Sequence, residues 1–288
     1  MSEQDPILYE KDPTKKIARI TLNRPERLNA LRLEHYAQIT ELVHQAEEDD
    51  DVKVILFRGN GRSFCSGHDV GELGFMYGLG TRADDRRPSQ RVRLLRDRSI
   101  VGFFRTVAFC LKSTVAAVHG YCYGGGLNVA LACDQTIAAE GALFTHPGYR
   151  YIGPTLDFGI LAATVGIKMA KQIMLTGIPV EAQDAYRMGL VNKVVSPDRL
   201  EEEANALCEA MAQLPIDGIV MGKAHMQAAM NAMGVGTAYD IAYMMHSLQT
   251  NIRYEEGEFN LFRERRERGV SGAIRARKEH YSEALPRP

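Results

Sequence analysis

A glycine-rich turn between two apolar segments is the feature that most restricts how this chain can fold. Segment Gly120–Asp134 reads GYCYGGGLNVALACD and follows the apolar run Thr114–His119. The run predicts a buried strand, and the small residues from Leu127 to Cys133 predict a helix. Glycines at such a junction let the backbone approach a ligand, and the unpaired N–H groups of a first helical turn favour an anionic oxygen. A tight turn that serves packing alone is the alternative interpretation.

A second glycine-containing loop favours a ligand site. Residues 59–70 read GNGRSFCSGHDV and follow another apolar strand pattern, Val52–Phe57. One backbone N–H group from each loop, converging on one carbonyl oxygen, would form an oxyanion hole that stabilises charge developing in the transition state. Loss of one such donor typically lowers the rate by about 10²–10³-fold.

Segments Ser63–Val70 and Ala116–Asp134 resemble the two signature segments of the enoyl-CoA hydratase/isomerase (crotonase) superfamily. Ile20–Leu31, Ala182–Val195 and the charged tail after Glu255 resemble further family segments in the same order. The resemblance runs from about residue 7 to the end of the chain. It implies a core of repeated ββα units and a helical tail used in trimer contacts, with assembly as a homotrimer or a dimer of trimers.

Periodicity by itself predicts an α/β core followed by helices alone. Strand and helix patterns alternate to about residue 196, whereas the chain beyond Pro197 shows only helical patterns. We therefore expect an α/β crotonase-like core in residues 1–196, which by resemblance holds an acyl-CoA site. Residues 197–288 are expected to form an all-helical part, which by resemblance serves oligomerisation. Within the core, Asn29 is expected to cap a helix from about Ala30 to Glu48.

Composition is that of an ordinary soluble protein. Hydrophobic residues make up 45% of the 288 residues, and the net charge is −1, so we expect neither a nucleic-acid nor a membrane partner. Five scattered cysteines without metal spacing indicate reduced thiols and no metal site. The polar N-terminus lacks a targeting pattern, and no run of about 18 apolar residues predicts a membrane span. We expect a cytoplasmic protein.

The resemblance assigns the oxyanion donors to the backbone N–H groups of His68 and Gly125. These groups would polarise a thioester carbonyl and hold an enolate. Coenzyme A would enter as part of the substrate, and no separate cofactor is expected. The residues expected to contact the substrate are Arg27, Cys65, Ser66, Asn128, His146, Gly148 and Tyr149.

Three of these assignments have alternatives. Arg27, expected near the CoA phosphates, is equally well explained as an exposed charge at a helix entry. His68 has a side chain that either points into the pocket or hydrogen-bonds within its own loop. His146 is a candidate acid or base, although most single histidines of this kind serve packing or hydrogen bonding.

The chain departs from the family at the proton-transfer groups. Family hydratases use two glutamates, and the matching positions hold Asn128 and Gly148. Neither transfers a proton at neutral pH. Asp157 matches an aspartate of related isomerases and of a CoA-dependent dehalogenase, so we expect it to move a proton or act as a nucleophile. A cap for the helix starting near Phe158 is the alternative.

We therefore expect an acyl-CoA enzyme of hydratase/isomerase type, with isomerisation, hydration or bond cleavage left open. A non-catalytic acyl-CoA-binding scaffold is the alternative, motivated by the absent glutamates. RNA binding is a third hypothesis, disfavoured by the near-neutral charge. The Arg-rich insert 74–98 predicts a lid loop and a basic helix, which either meets CoA phosphates or forms a solvated face.

Overall fold

The computed structural model of the protein describes residues 5–72, 89–151, 158–248 and 251–282. The strands are β1 Ile7–Asp12, β2 Ile17–Leu22, β3 Val54–Gly59, β4 Ser113–Val118, β5 Tyr121–Tyr123, β6 Gln135–Ala139, β7 Leu143–Thr145, β8 Val180–Glu181 and β9 Lys193–Val195. The main sheet has the strand order β1-β2-β3-β4-β6-β9, and a smaller sheet has the order β5-β7-β8.

Helices follow most of these strands and then continue alone to the C-terminal end. They are α1 Leu33–Glu48, α2 Gln90–Ala108, α3 Gly125–Ala132, α4 Phe158–Thr176, α5 Ala182–Arg187, α6 Leu200–Ala212, α7 Ile216–Ala232, α8 Val235–Leu248 and α9 Leu261–Ser282.

The main sheet is covered on both faces. β1 pairs antiparallel with β2, and the remaining neighbours pair in parallel. Alternate residues of a strand point to opposite faces. Ile55 and Phe57 therefore join the larger core with α1, α2 and α3, whereas Val54 and Leu56 pack with α6. This burial on both faces explains the continuous apolar runs of β3 and β4.

α1 begins at Leu33 rather than at about Ala30, because Asn29 has another role. Asn29 has a left-handed backbone with φ of 55°. Its side-chain nitrogen donates to the carbonyl oxygens of Asn60 at 2.9 Å and Ser63 at 2.8 Å. The residue expected to cap α1 instead ties the turn before that helix to the loop that follows β3.

The composition of α4 runs against the expectation that no segment could span a membrane. By length and mean hydropathy, 1.4, it is apolar enough to do so. A core helix passes the same test, and Ile160, Leu161 and Ile173 of α4 are buried. Gly166 interrupts the helix with φ of 79°. The absence of a membrane partner remains a prediction.

The C-terminal helices pack closely on the rest of the chain. α6 covers one face of the sheet, and α8 packs against α2 and α4. α9 is kinked at Gly269, where the backbone leaves the helical conformation with φ of 69°. The division of the chain at residue 196 into a core and an oligomerisation part remains a prediction.

Candidate active site

The two glycine-containing loops lie in direct contact. The N–H group of Cys65 donates to the carbonyl of Tyr121, and that of Tyr123 donates to the carbonyl of Cys65, both at 2.9 Å. Gly124 donates its N–H to the carbonyl of Thr145 at 3.0 Å. The end of β7 is thereby attached to the same junction.

Glycine is required where the loops meet. Gly67 has φ of 99°, and a Cβ there would lie 2.8 Å from the carbonyl oxygen of Tyr123 and 3.3 Å from the nitrogen of Gly125. A Cβ on Gly126 would lie 2.5 Å from the carbonyl oxygen of Cys65. Any side chain at these positions would therefore push the loops apart.

The N–H group of His68 does not take part in the backbone pairing with Leu31. Leu31 donates to the carbonyl of Gly67, and Asp69 donates to the carbonyl of Leu31, both at 2.8 Å. Because successive residues of an extended strand direct their N–H groups to opposite sides, that of His68 faces away from Leu31. A Cβ on Gly125 would lie 3.6 Å from the nitrogen of His68.

Both candidate donors are free within the part of the chain that the structure describes. Gly125 is the first residue of α3, where an N–H group has no acceptor inside the helix. Among the described residues, neither the N–H of Gly125 nor that of His68 has a hydrogen-bond acceptor. Two unpaired amides therefore lie beside each other at one loop junction.

The imidazole of His68 is held in its neutral form. Its ring stacks on Tyr36, with centroids 5.8 Å apart and planes 4° from parallel. Burial and, to a smaller extent, the charge of His246 lower the pKa of His68 to about 4, whereas Asp69 opposes the shift. The residue as a whole is half-buried, but Nε2 is shielded and has no partner among the described residues.

Cys65, Ser66 and Arg27 lie on or beside the first loop. The thiol of Cys65 donates to the carbonyl of Asn29 at 3.1 Å, and burial raises its pKa to about 12. Ser66 donates its N–H to the carbonyl of Leu28 at 2.9 Å. Arg27, in the short turn just before Leu28, is exposed at the edge of this loop.

The remaining predicted residues follow α3 and β7. Asn128 is buried one turn after Gly125, with an exposed fraction of 4%. His146 follows β7, and its Nδ1 accepts from the N–H of Gly148 at 3.3 Å. Tyr149 is exposed. Asn128 and His146 thus follow closely after Gly125 and Thr145, two residues of the loop junction, and Tyr149 lies in the short helical turn Gly148–Arg150.

Two of the sequence-based expectations concern residues that the structure does not describe. One is the role of Asp157, and the other is the lid loop expected in the part of the Arg-rich insert at positions 74–88. Across the ranges that the structure does describe, no group of three or more His, Cys, Asp or Glu side chains could hold a metal ion.

The basic helix α2 is not a uniformly solvated face. Arg93 is 2% exposed and Asp97 is fully buried. The carboxylate of Asp97 accepts from Ser247 Oγ at 2.7 Å and lies 3.0 Å from Nδ1 of His246. Part of the insert thus forms a buried polar layer between α2 and α8.

Tyr36 lies against His68 and near Gly125, and the sequence did not single it out as a candidate site residue. It belongs to the apolar stripe of α1, and such stripes predict core packing. The one feature of the sequence that could have pointed to Tyr36 is its hydroxyl, because the rest of the stripe is aliphatic. Tyr36 also lines an open cavity of about 390 Å³ between α1 and α2, together with Leu33 and Ile100.

The family model for enoyl-CoA hydratase/isomerase matches residues 12–269. The chain belongs to this family. It is 33% identical to a short-chain-enoyl-CoA hydratase of Clostridium acetobutylicum, over 71% of this chain and 74% of that protein. The family resemblance inferred from the signature segments is therefore confirmed.

Solved structures confirm the crotonase fold. An enoyl-CoA hydratase/isomerase from Xanthobacter autotrophicus superimposes with a TM-score of 0.82 at 32% identity, covering 98% of this chain and 99% of that one. An enoyl-CoA hydratase from Mycobacterium smegmatis gives 0.82 at 29% identity, with coverage of 96% and 94%. The expected α/β core with a helical C-terminal part is thus correct.

Proposed function

We propose that this protein is an acyl-CoA-processing enzyme that stabilises a thioester enolate between the backbone N–H groups of His68 and Gly125. The observation that carries the proposal is the contact between the two loops, which places these unpaired amides side by side. Fixed donors aimed at a developing oxyanion need no reorganisation during the reaction. The relatives named as enoyl-CoA hydratases support the substrate class.

The other proposed contacts with the substrate are assigned from where the residues lie relative to the loop junction. Arg27, exposed beside the first loop, would meet CoA phosphates, for which a guanidinium is well suited. Cys65 and Ser66, which belong to that loop, would border the substrate on the same side. Asn128, His146, Gly148 and Tyr149 would line the acyl part of the substrate. Coenzyme A would belong to the substrate, and no other cofactor is proposed.

Ordinary hydration is not the reaction that we favour. The buried Asn128 carries an amide where hydratases carry a glutamate, and Gly148 has no side chain. An amide does not titrate near neutral pH, so it cannot exchange a proton with the substrate. We propose isomerisation or related acyl-CoA chemistry in which Asp157 supplies the carboxylate.

A spectrophotometric screen of straight-chain, dienoyl and cyclic acyl-CoA esters tests this function. We expect turnover of at least one ester and a loss of kcat of about 10²-fold or more in Asp157→Asn. Asp198→Asn, an exposed aspartate outside the site, is the matched control and should retain wild-type rates. Full activity in Asp157→Asn would remove that residue from the mechanism.

A non-catalytic acyl-CoA-binding scaffold is the second candidate, and the residues at 128 and 148 motivate it. This alternative predicts that calorimetry detects CoA-ester binding while no ester of the panel is converted. Turnover of any ester at a rate proportional to enzyme concentration would exclude the scaffold.

A further inference from the structure

We propose that the hydroxyl of Tyr36 is a third hydrogen-bond donor to the thioester oxygen, beside the backbone N–H groups of His68 and Gly125. The inference rests on the proposed function and assigns to that site a catalytic side chain. The hydroxyl would donate to the oxygen without giving up its proton, so no bond is made or broken at Tyr36.

The position of the hydroxyl is the first support. A Cβ on Gly125 would lie 2.7 Å from Oη of Tyr36 and 3.6 Å from the backbone nitrogen of His68. The phenol oxygen, the Gly125 backbone and the His68 amide therefore border the same small volume. Glycine at 125 leaves room for the hydroxyl, since an alanine there would have to displace it.

The tyrosine ring is held from three sides. It stacks on His68, and it contacts Phe103 and Phe104 of α2 with centroid distances of 5.3 and 5.7 Å. Tyr36 is 3% exposed. A ring fixed in this way gives a preorganised donor, which is the property that makes oxyanion stabilisation effective.

The hydroxyl has no competing partner in the described ranges. Buried tyrosine hydroxyls usually find a hydrogen-bond partner. No hydrogen bond of Tyr36 Oη is present among the residues that the structure describes. Because Tyr36 also lines the cavity between α1 and α2, a ligand that enters there could supply the acceptor.

The phenol is in the protonation state that a donor needs. Burial raises the pKa of Tyr36 well above its usual range, and the thiol of Cys65 and the carboxylate of Glu72 raise it further. Tyr36 therefore keeps its proton at physiological pH. The neighbouring imidazole of His68 is neutral, so the oxyanion would be met by uncharged donors only.

Replacement Tyr36→Phe tests the proposal, because it keeps the ring and removes the donor. Cinnamoyl-CoA serves as the probe, since polarisation of its thioester carbonyl moves its absorption band to longer wavelength. We expect a clear red shift on binding to the wild-type protein and a smaller one with Tyr36→Phe. For the ester found in the screen, kcat should fall by about 10²-fold with KM changed much less.

Tyr9→Phe is the matched control. It removes the buried hydroxyl of a half-buried tyrosine on β1, and this hydroxyl also lacks a partner among the described residues. This variant should retain the wild-type red shift and kcat. 3-Fluorotyrosine at position 36 provides a second test, because its more acidic phenol is a stronger donor and should increase the red shift.

The outcomes separate the two proposals. A wild-type red shift and kcat in Tyr36→Phe would overturn the role of Tyr36 and leave the proposed function intact. A wild-type protein that neither shifts the band of bound cinnamoyl-CoA nor converts any ester would overturn the proposed function itself. If Tyr36→Phe fails to fold, an unchanged band with 3-fluorotyrosine would still contradict the inference.

Discussion

His68 offers a backbone group and a side chain to the same site, and the two act in different ways. Its N–H group faces away from Leu31 because the neighbouring residues Gly67 and Asp69 make the backbone hydrogen bonds to Leu31. Its ring stacks on Tyr36 and stays neutral because burial disfavours the charged form. A change of side chain therefore alters the ring without removing the proposed backbone donor.

The free energy of unfolding should fall as the pH is lowered from about 6.5 towards 4. The pKa of His68 is about 4 in the folded chain, whereas an unfolded histidine titrates near 6.5. The unfolded chain thus binds this proton first, and stability present at neutral pH is lost as the pH falls through the window. With allowance for the partial exposure of His68, we expect a loss of about 1–2 kcal/mol by about pH 5.

Urea unfolding at neutral pH and at about pH 5 measures this loss. In His68→Gln the free energy of unfolding should differ less between neutral pH and about pH 5 than it does in the wild type. His44→Gln is the control, because the side chain of His44 is 55% exposed. An identical pH dependence in wild type and His68→Gln would show that His68 does not carry the effect.

Among the elements, α7 is attached to the sheet by a partly buried ion pair. Lys223 contacts the carboxylate of Asp134, and the side chain of Lys223 is 8% exposed. The other carboxylate oxygen accepts the N–H of Thr114 at 2.8 Å, and the N–H of Asp134 donates to Thr114 Oγ1 at 2.9 Å. The last residue of the glycine-rich segment thus connects α7 to the start of β4.

Lys223→Met should lower the free energy of unfolding by about 1–3 kcal/mol, because it leaves a partly buried carboxylate without its cation. The midpoint of urea unfolding measures the change. Lys171→Met, on an exposed position of α4, should shift the midpoint much less. Equal midpoints for the two variants would show that the pair does not stabilise α7.

Two glycines in helices should respond to alanine with opposite signs. A Cβ on Gly222 of α7 meets no heavy atom within 4 Å, so Gly222→Ala should stabilise the protein by about 0.5–1 kcal/mol. A Cβ on Gly126 of α3 would lie 2.5 Å from the carbonyl oxygen of Cys65, so Gly126→Ala should destabilise it. Thermal unfolding of both variants checks the contrast, and a change of the same sign in both would contradict it.

For the molecule as a whole, all five cysteines are buried as free thiols. Burial raises the pKa of Cys65, Cys110 and Cys208 to about 12. Because the thiolate is the reactive form, we expect no rapid reaction with a chromogenic disulfide in the native protein and five reactive thiols after denaturation. One fast-reacting thiol under native conditions would mean that a cysteine is more accessible than the structure indicates.

Oligomerisation remains a proposal, and the C-terminal helices support it. Several apolar side chains of α7, α8 and the adjoining turn are exposed: Met221, Met226, Met233, Ile241, Met244 and Met245. Such a group is typical of a contact with another chain. We expect light scattering to give three or six times the 32.0 kDa chain mass, and Met221→Glu to shift the protein towards smaller species. A wild-type monomer at micromolar concentration would contradict this.

The loop junction could be predicted because its signals are local. Strands and helices follow from the spacing of apolar residues, and the positive φ of Gly67 or Gly124 is a conformation that glycine adopts most readily. Asn29 shows where local reasoning fails. A helix cap was the expected role, but its side chain hydrogen-bonds to residues more than thirty positions further along.

The sequence by itself determined the alternation of strands and helices, the two glycine loops and the family. Only the tertiary structure decided which distant side chains meet: Tyr36 with Gly125, Asp97 with Ser247, and Lys223 with Asp134. The physical reason is that backbone conformation depends mainly on neighbouring residues. A contact between side chains far apart in the chain depends on how whole helices pack on the sheet.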